Sequence, residues 1–281
     1  MGDALGSQFD VPFPWEPPAR RVPDPPWSWS DDTAMATAIL RVIEARGEVD
    51  QDALADAFVE CFDRDRGFGA GMVTLLRRLE AGEHWRDVSP NQFGGQGSYG
   101  NGSAMRVAPI GAWFADDPER VTKEAIFSST VTHTHPDAVA GAIAIAQAAA
   151  ILQADTDAPR GDDLIQAVWE RLTMGDLADA VDGIRDVPAD ADHRDAARLL
   201  GNGAEVTAID TVPLVLWLVS TSTGTFEVDL WRTIECGGDI DTTCAMVGAL
   251  LVARDGIGAI PAPWLEATEP LPAIAEVLPP D

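Results

Sequence analysis

From residue 30 onward, apolar residues recur at the spacing of a helix with one buried face. Ala36, Ile39, Leu40 and Ile43 stand at i, i+3, i+4 and i+7, the separation that puts side chains on one stripe of a 3.6-residue turn. The same rhythm returns over 52–62 with Leu54, Ala57, Phe58 and Cys61, and over 72–79 with Met72, Leu75, Leu76 and Leu79. It predicts further helices over 118–129, 136–153, 162–173, 177–184, 212–220, 226–235 and 242–254. Pro118 and Pro136 fall in a first helical turn, where the missing N–H costs nothing. Alternation with period two is scarce, so the expected fold is all-α. No Gly-, Ser- or Pro-rich boundary divides the periodic blocks, so a single domain over 1–281 is expected. Residues 10–29, crowded with proline and tryptophan, read as an extended, ordered loop.

Three glycine-rich stretches interrupt the helices: 67–71, 94–103 and 201–203. Glycine lets backbone approach a ligand closely, and helix N-termini offer unpaired N–H groups to anions. Several such loops suggest a ligand that carries phosphates.

Composition narrows the function classes. The 281 residues are 46% hydrophobic with a formal net charge of −27, enough apolar content for a large core and the wrong sign for binding nucleic-acid phosphates or anionic membrane surfaces. Lys123 is the sole lysine. Cys61, Cys236 and Cys244 form no CxxC pair, which predicts reduced thiols in a cytoplasmic protein. No signal peptide is legible at the N-terminus, and the alanine-rich run 138–152 is short for a membrane span.

The candidate chemistry lies in two aspartate clusters at predicted helix starts, Ser30-Asp31-Asp32-Thr33 and Gly237-Gly238-Asp239-Ile240-Asp241-Thr242. Aspartate at a helix start is often a cap for orphan N–H groups. Four acids against an apolar core, however, repel one another unless a cation holds them, and carboxylates with neighbouring hydroxyls suit hard divalent ions. The D-x-D-x-T string Asp239–Thr243 also fits an aspartyl phosphatase, but the Glu235-Cys236-Gly237-Gly238 stretch before it is a poor strand end. The EF-hand reading fails at Leu250, where a bidentate glutamate is required. Gly95 to Gly100 spells G-x-G-x-x-G with no strand before it. The pair His133 and His135 lacks further ligands at zinc spacing.

Taken in order, Gly2-Asp3-Ala4-Leu5-Gly6, Ser30-Asp31-Asp32-Thr33, Gly100-Asn101-Gly102-Ser103-Ala104-Met105-Arg106, Thr132-His133 and Gly237-Gly238-Asp239-Ile240-Asp241-Thr242 resemble the ADP-ribosylglycohydrolase family. The stretches 66–71 and 97–102 are most similar to the branch that cleaves O-linked ADP-ribose, which includes the serine-ADP-ribose and poly(ADP-ribose) hydrolase of animals. The resemblance implies an orthogonal multi-helix bundle with two Mg²⁺ (or Mn²⁺) ions. Ser30, Asp31 and Asp32 would hold one ion, Asp239 and Thr242 the other, and Asp241 would bridge them. Gly67, Gly69 and Gly71, with Gly97, Ser98, Tyr99, Gly100 and Asn101, would line the pyrophosphate and distal ribose. Phe93 and His133 would contact the nucleoside side. Where the family carries a catalytic glutamate this chain has Asp10, so Asp10 and Asp32 are the expected acid–base carboxylates. Relatives begin with an apolar helix upstream of the GDALG-like motif; the expectation is a start placed late or a lost half-helix.

The implied activity is metal-dependent hydrolysis of the glycosidic bond at the distal ribose. It would release ADP-ribose from an ADP-ribosylated protein or other conjugate, with O-linked acceptors (serine, O-acetyl, polymer) favoured over arginine. The protein is expected to work as a monomer, with no nucleic-acid or membrane partner. A non-catalytic ADP-ribose sensor is the alternative, and a Mg²⁺-dependent phosphatase the more distant one.

Overall fold

The computed structural model describes residues 1–9, 20–154, 159–173, 175–222 and 224–271. Among these the chain forms fifteen α-helices joined by loops and short 3₁₀ turns, with two isolated β-bridges and no strand. The all-α expectation holds, and the physical reason is the periodicity already noted.

The first helices are α1 (Gly2–Gly6), α2 (Asp31–Arg46), α3 (Gln51–Glu60) and α4 (Ala70–Glu80). Next come α5 (Trp85–Val88), α6 (Ala108–Trp113), α7 (Pro118–Thr130) and α8 (Pro136–Ala154). After them run α9 (Gly161–Trp169), α10 (Asp176–Asp182), α11 (His193–Leu200) and α12 (Ala208–Ser220). The last are α13 (Phe226–Ile234), α14 (Ile240–Asp255) and α15 (Ala262–Ala267). Caps set many of these starts: Ser30, Asp50, Asp117, Asp192 and Thr207 each accept a backbone N–H of the first turn, satisfying donors that the helix itself cannot.

The boundaries differ from the sequence pattern in instructive places. Helix α12 begins at Ala208 and not at 212, because Thr207 caps it and Pro213 sits inside the helix, where a proline removes one intrahelical bond and strains its turn. Helix α9 stops at Trp169 and not at 173; Arg171 and Leu172 bond back three residues to Val168 and Trp169, a tightening that ends the helix. Helices α1, α5, α6, α11 and α15, of four to eight residues each, lie outside the periodic stretches.

Helix α8 is the centre of the bundle. It is apolar on every side and packs against α6, α7, α9, α12 and α14, as expected of a helix buried all round. By length and composition it could cross a membrane, but two-thirds of its apolar window is buried inside the protein. The hydrophobic core continues through Trp217 of α12 and the apolar face of α14 to Trp27 and Trp264.

The described part of the proline-rich loop is held in place. The Trp27 N–H donates to the Ala267 carbonyl (2.7 Å), the Glu269 N–H donates to the Trp27 carbonyl (2.9 Å), and Trp27 is buried. Arg20 makes a two-bond ion pair with the buried Glu235 at 2.8 and 3.0 Å. Asp10 lies outside the described residues, and so does its expected catalytic role.

Candidate functional site

The two aspartate clusters, far apart in the chain, meet where the N-termini of α2 and α14 converge. The Thr242 hydroxyl donates to Asp32 Oδ2 at 3.3 Å, and the Ser30 hydroxyl donates to the same oxygen at 3.0 Å. Ser30, Asp31, Asp32 and Thr242 are buried, while Asp239 and Asp241 are half-buried.

Crowding shows in the acidities. Burial, then Asp3 and Asp239, push the Asp31 carboxyl up to about 7. Burial, then Asp239, push Asp241 up to about 8. Asp32 is also raised, by burial and by Asp241, Asp3 and Asp31. Its Oδ1 is buried with no hydrogen-bond partner among the described residues. An unpartnered buried carboxylate oxygen costs free energy unless a cation or proton meets it. The donor set is oxygen throughout, which fits Mg²⁺ or Mn²⁺ and not a thiophilic ion.

Above this floor opens a cleft of about 510 Å³. Asp31, Asp239, Asp241 and Thr242 line it at the helix starts; Gly67, Gly69 and Gly71 line it from the loop before α4, and Ser98, Tyr99, Gly100, Asn101 and His133 from the segments before α6 and α8. Gly67 has φ +85°, and a Cβ there would sit 3.6 Å from Asp31 Oδ1, so glycine leaves the acid open to the cleft. The Gly67 loop is pinned beside the Ser30 cap. Arg66 donates to the Trp29 carbonyl (2.9 Å), pairs with Glu269 and lies over the Trp29 ring, 3.6 Å from its centroid.

At the outer rim, Phe93 (φ +50°) and Tyr99 are both largely exposed, with ring centroids 5.5 Å apart. Two adjacent exposed aromatics at a cleft mouth can stack a planar heterocycle. Tyr99, which the resemblance sets along the pyrophosphate and distal ribose, lines this cleft beside Phe93. Val206, also at positive φ (+55°) and exposed, lines the cleft with Glu205 beside the Tyr99–Asn101 segment, its carbonyl accepting the Asn101 N–H at 3.2 Å.

His133 lies deeper. Burial, helped by the Arg106 charge, lowers its pKa to about 3, so its ring is neutral. Arg106, wholly buried, donates to the Thr132 hydroxyl (2.7 Å), which in turn sits 2.7 Å from His133 Nδ1. That order of donors leaves the proton on Nε2, which faces the α-carbons of Gly100 and Gly102; a Cβ at either would come within 3.3 and 3.1 Å of it. His133 thus offers an N–H at the cleft wall.

Some expected residues turn inward to the protein. Gly97 lies off the cleft; a Cβ there would overlap the Thr134 hydroxyl. Asn101 lines the cleft, but its amide donates to Asp239 Oδ2 (2.7 Å) and Thr211 Oγ1 (3.1 Å), so it holds an acid in place. Asp32 lies under the floor, outside the lining of this cleft. The Gly201-Asn202-Gly203 loop, expected to hold phosphate, instead braces the second acid turn. The Asp239 N–H donates to the Asn202 carbonyl at 3.1 Å, and the missing side chains of Gly203 and Gly238 let the two loops touch.

One buried acid at the floor went unassigned in the sequence: Asp3, whose carboxylate lies with those of Asp32 and Asp241 in a group with oxygens all within 4.8 Å. The signal for it was present in the Gly2-Asp3-Ala4-Leu5-Gly6 string, but nothing local says where a five-residue helix will dock.

The ADP-ribosylglycohydrolase family profile matches residues 1–279. The chain is 30% identical over 275 residues to the ADP-ribosylhydrolase ARH3 of Homo sapiens, covering 86% of this chain and 74% of that protein. It is 26% identical over 252 residues to the ADP-ribosyl-dinitrogen-reductase glycohydrolase of Rhodospirillum rubrum, covering 85% and 73%. Among solved structures, an ADP-ribosylglycohydrolase-related protein complex superposes with a TM-score of 0.70 at 23% identity, covering 95% of this chain and 88% of that one.

Proposed function

The chain belongs to the ADP-ribosylglycohydrolase family, and from that premise we propose that it hydrolyses the glycosidic bond of the distal ribose in ADP-ribose conjugates, releasing ADP-ribose. The observation that carries the reading is that one cleft joins clustered acids, bare glycine backbone and two exposed aromatics. An ADP-ribose moiety carries the three matching chemistries: ribose hydroxyls, a pyrophosphate and a planar base.

In this reading Phe93 and Tyr99 stack the adenine at the rim. The backbone at Gly67, Gly69, Gly71 and Gly100 approaches the pyrophosphate without side chains in the way. His133 Nε2–H donates to a hydroxyl or phosphate oxygen of the ligand. Two Mg²⁺ (or Mn²⁺) ions would be held by Ser30, Asp31, Asp32, Asp239, Asp241 and Thr242. What such ions supply when bound is positive charge against an anionic ligand and an acidified water, in a protein that is otherwise strongly acidic.

Bond cleavage at the anomeric carbon builds oxocarbenium character, and Asp31 and Asp241, as ion ligands at the floor, would fix where the ribose hydroxyls and the attacking water sit relative to that carbon. Proton transfer to and from water falls to a carboxylate within hydrogen-bond reach: Asp10, by its place in the family motif, or an acid of the floor. Preference for O-linked acceptors rests on the resemblance of 66–71 and 97–102.

The test is release of ADP-ribose from serine-modified and arginine-modified peptides side by side, with Mg²⁺ and with chelator. Metal-dependent release from the serine peptide supports the reading. Binding of ADP-ribose by calorimetry with no release from either peptide would instead support a sensor.

A further inference from the structure

Asp3 is buried beside the proposed metal-binding acids, yet both of its oxygens are committed to backbone and hydroxyl donors. The Ser30 N–H lies 3.1 and 3.0 Å from Oδ1 and Oδ2, the Thr33 N–H lies 3.2 Å from Oδ2, and the Thr33 hydroxyl donates to Oδ2 as well. Asp3 therefore caps the first turn of α2 from another helix, adding to the local cap made by Ser30. Asp32 contrasts with it: Oδ2 takes the two hydroxyls, and Oδ1 is buried and unpartnered among the described residues.

The mounting of Asp3 is equally constrained. Gly2 and Gly6 let α1 lie directly on the start of α14. A Cβ at Gly2 would come 2.2 Å from the Cys244 carbonyl oxygen, and one at Gly6 would come 2.7 Å from the Asp241 α-carbon. Helix α1 thus touches α14 at Asp241, while Asp3 grips the turn of α2 that carries Asp31 and Asp32.

We propose that Asp3 is a positioning residue: it fixes the Ser30–Thr33 turn against α14, so that Asp31 and Asp32 meet Asp241 at ligand spacing, and it is not itself a metal ligand. The inference rests on the metal-centre reading above. Groups that act on a metal through its ligands commonly change its affinity by about 10- to 100-fold when removed.

The experiment uses metal-stripped full-length protein and titrates Mg²⁺ by calorimetry in the wild type, Asp3→Asn, Thr33→Val and Thr33→Ser. Turnover at saturating Mg²⁺ and melting in chelator are followed in parallel. Asp3→Asn is expected to weaken Mg²⁺ binding by about 10- to 100-fold with unchanged stoichiometry, and turnover should largely recover at saturating metal. Thr33→Val, which leaves every acid in place and keeps the fold in reach if Asp3→Asn does not fold, is expected to shift affinity the same way by a smaller factor, with Thr33→Ser restoring it. Loss of one bound ion with no recovery at saturation would make Asp3 a ligand and overturn the proposal. Unchanged Mg²⁺ affinity with only a lower melting temperature would overturn it too. A wild type that binds no Mg²⁺ would remove the metal-centre reading and this inference together, whereas binding unaltered in both Asp3→Asn and Thr33→Val removes the inference alone.

Discussion

Replacing Asp241 by asparagine should stabilise the metal-free protein while abolishing its activity. The Asp241 carboxyl is raised from 3.8 to about 8, by burial first and by Asp239 second. Between those values the folded protein holds a proton that the unfolded chain has released, so metal-free stability falls as pH rises from about 4 to about 8. At roughly 1.4 kcal/mol per unit, the full penalty at pH 8 is about 6 kcal/mol. That penalty is shared with Asp239, Asp31 and Asp32, which relax when one of them is neutralised, so the gain from one substitution is nearer 2 kcal/mol. Asparagine keeps the Oδ1 acceptor for the Thr242 N–H, bonded at 2.8 Å. In a protein of this size the gain corresponds to a melting temperature higher by about 4–8 °C. The assay is thermal unfolding in chelator at pH 8 and again at pH 4.5, with Mg²⁺ added in a second series. The variant should melt above the wild type at pH 8, lose most of that advantage at pH 4.5, gain nothing from Mg²⁺ and show no turnover. A variant melting at or below the wild type at pH 8, or one that Mg²⁺ still stabilises, would refute the electrostatic account of the floor.

Three further outcomes follow from the same geometry. In the wild type, Mg²⁺ should raise the melting temperature more at pH 8 than at pH 5.5, because the ions displace protons from Asp31 and Asp241, whose pKa values lie near 7 and 8; a larger shift at pH 5.5 would contradict it. Gly67→Val should weaken ADP-ribose binding by well over tenfold by covering Asp31, while costing about 1–2 kcal/mol of stability from the positive φ, read by calorimetry and melting together. Phe93→Ala and Tyr99→Ala should each lower ADP-ribose affinity by about 1 kcal/mol, roughly fivefold, and leave the melting temperature nearly unchanged because both rings are exposed; equal affinity in the double variant would remove the stacking assignment.

Much of the architecture was legible in the chain because local physics sets it. Helices with a long periodic stripe, such as α2, α8 and α14, announce themselves through spacing and caps. The short helices α6, α11 and α15 do not, since few apolar positions repeat within their six to eight residues. Helix α12 starts four residues before the periodic stretch because Thr207 caps it and Pro213 is accommodated inside it, a tolerance that packing and not local spacing sets.

The candidate site divides in the same way. Residue types, their order and the two acid-bearing helix starts belong to the sequence, because caps, glycines and charge are local properties. What tertiary structure decided is which of them face one another. It bound the Asn101 amide and the Gly201–Gly203 loop to the turn that carries Asp239, and it set Tyr99 beside Phe93 at the rim. It also brought Asp3 from the first helix against α2 and α14. Partnerships between segments far apart in the chain depend on how helices pack, and side-chain spacing along one helix carries no record of the helix it will touch.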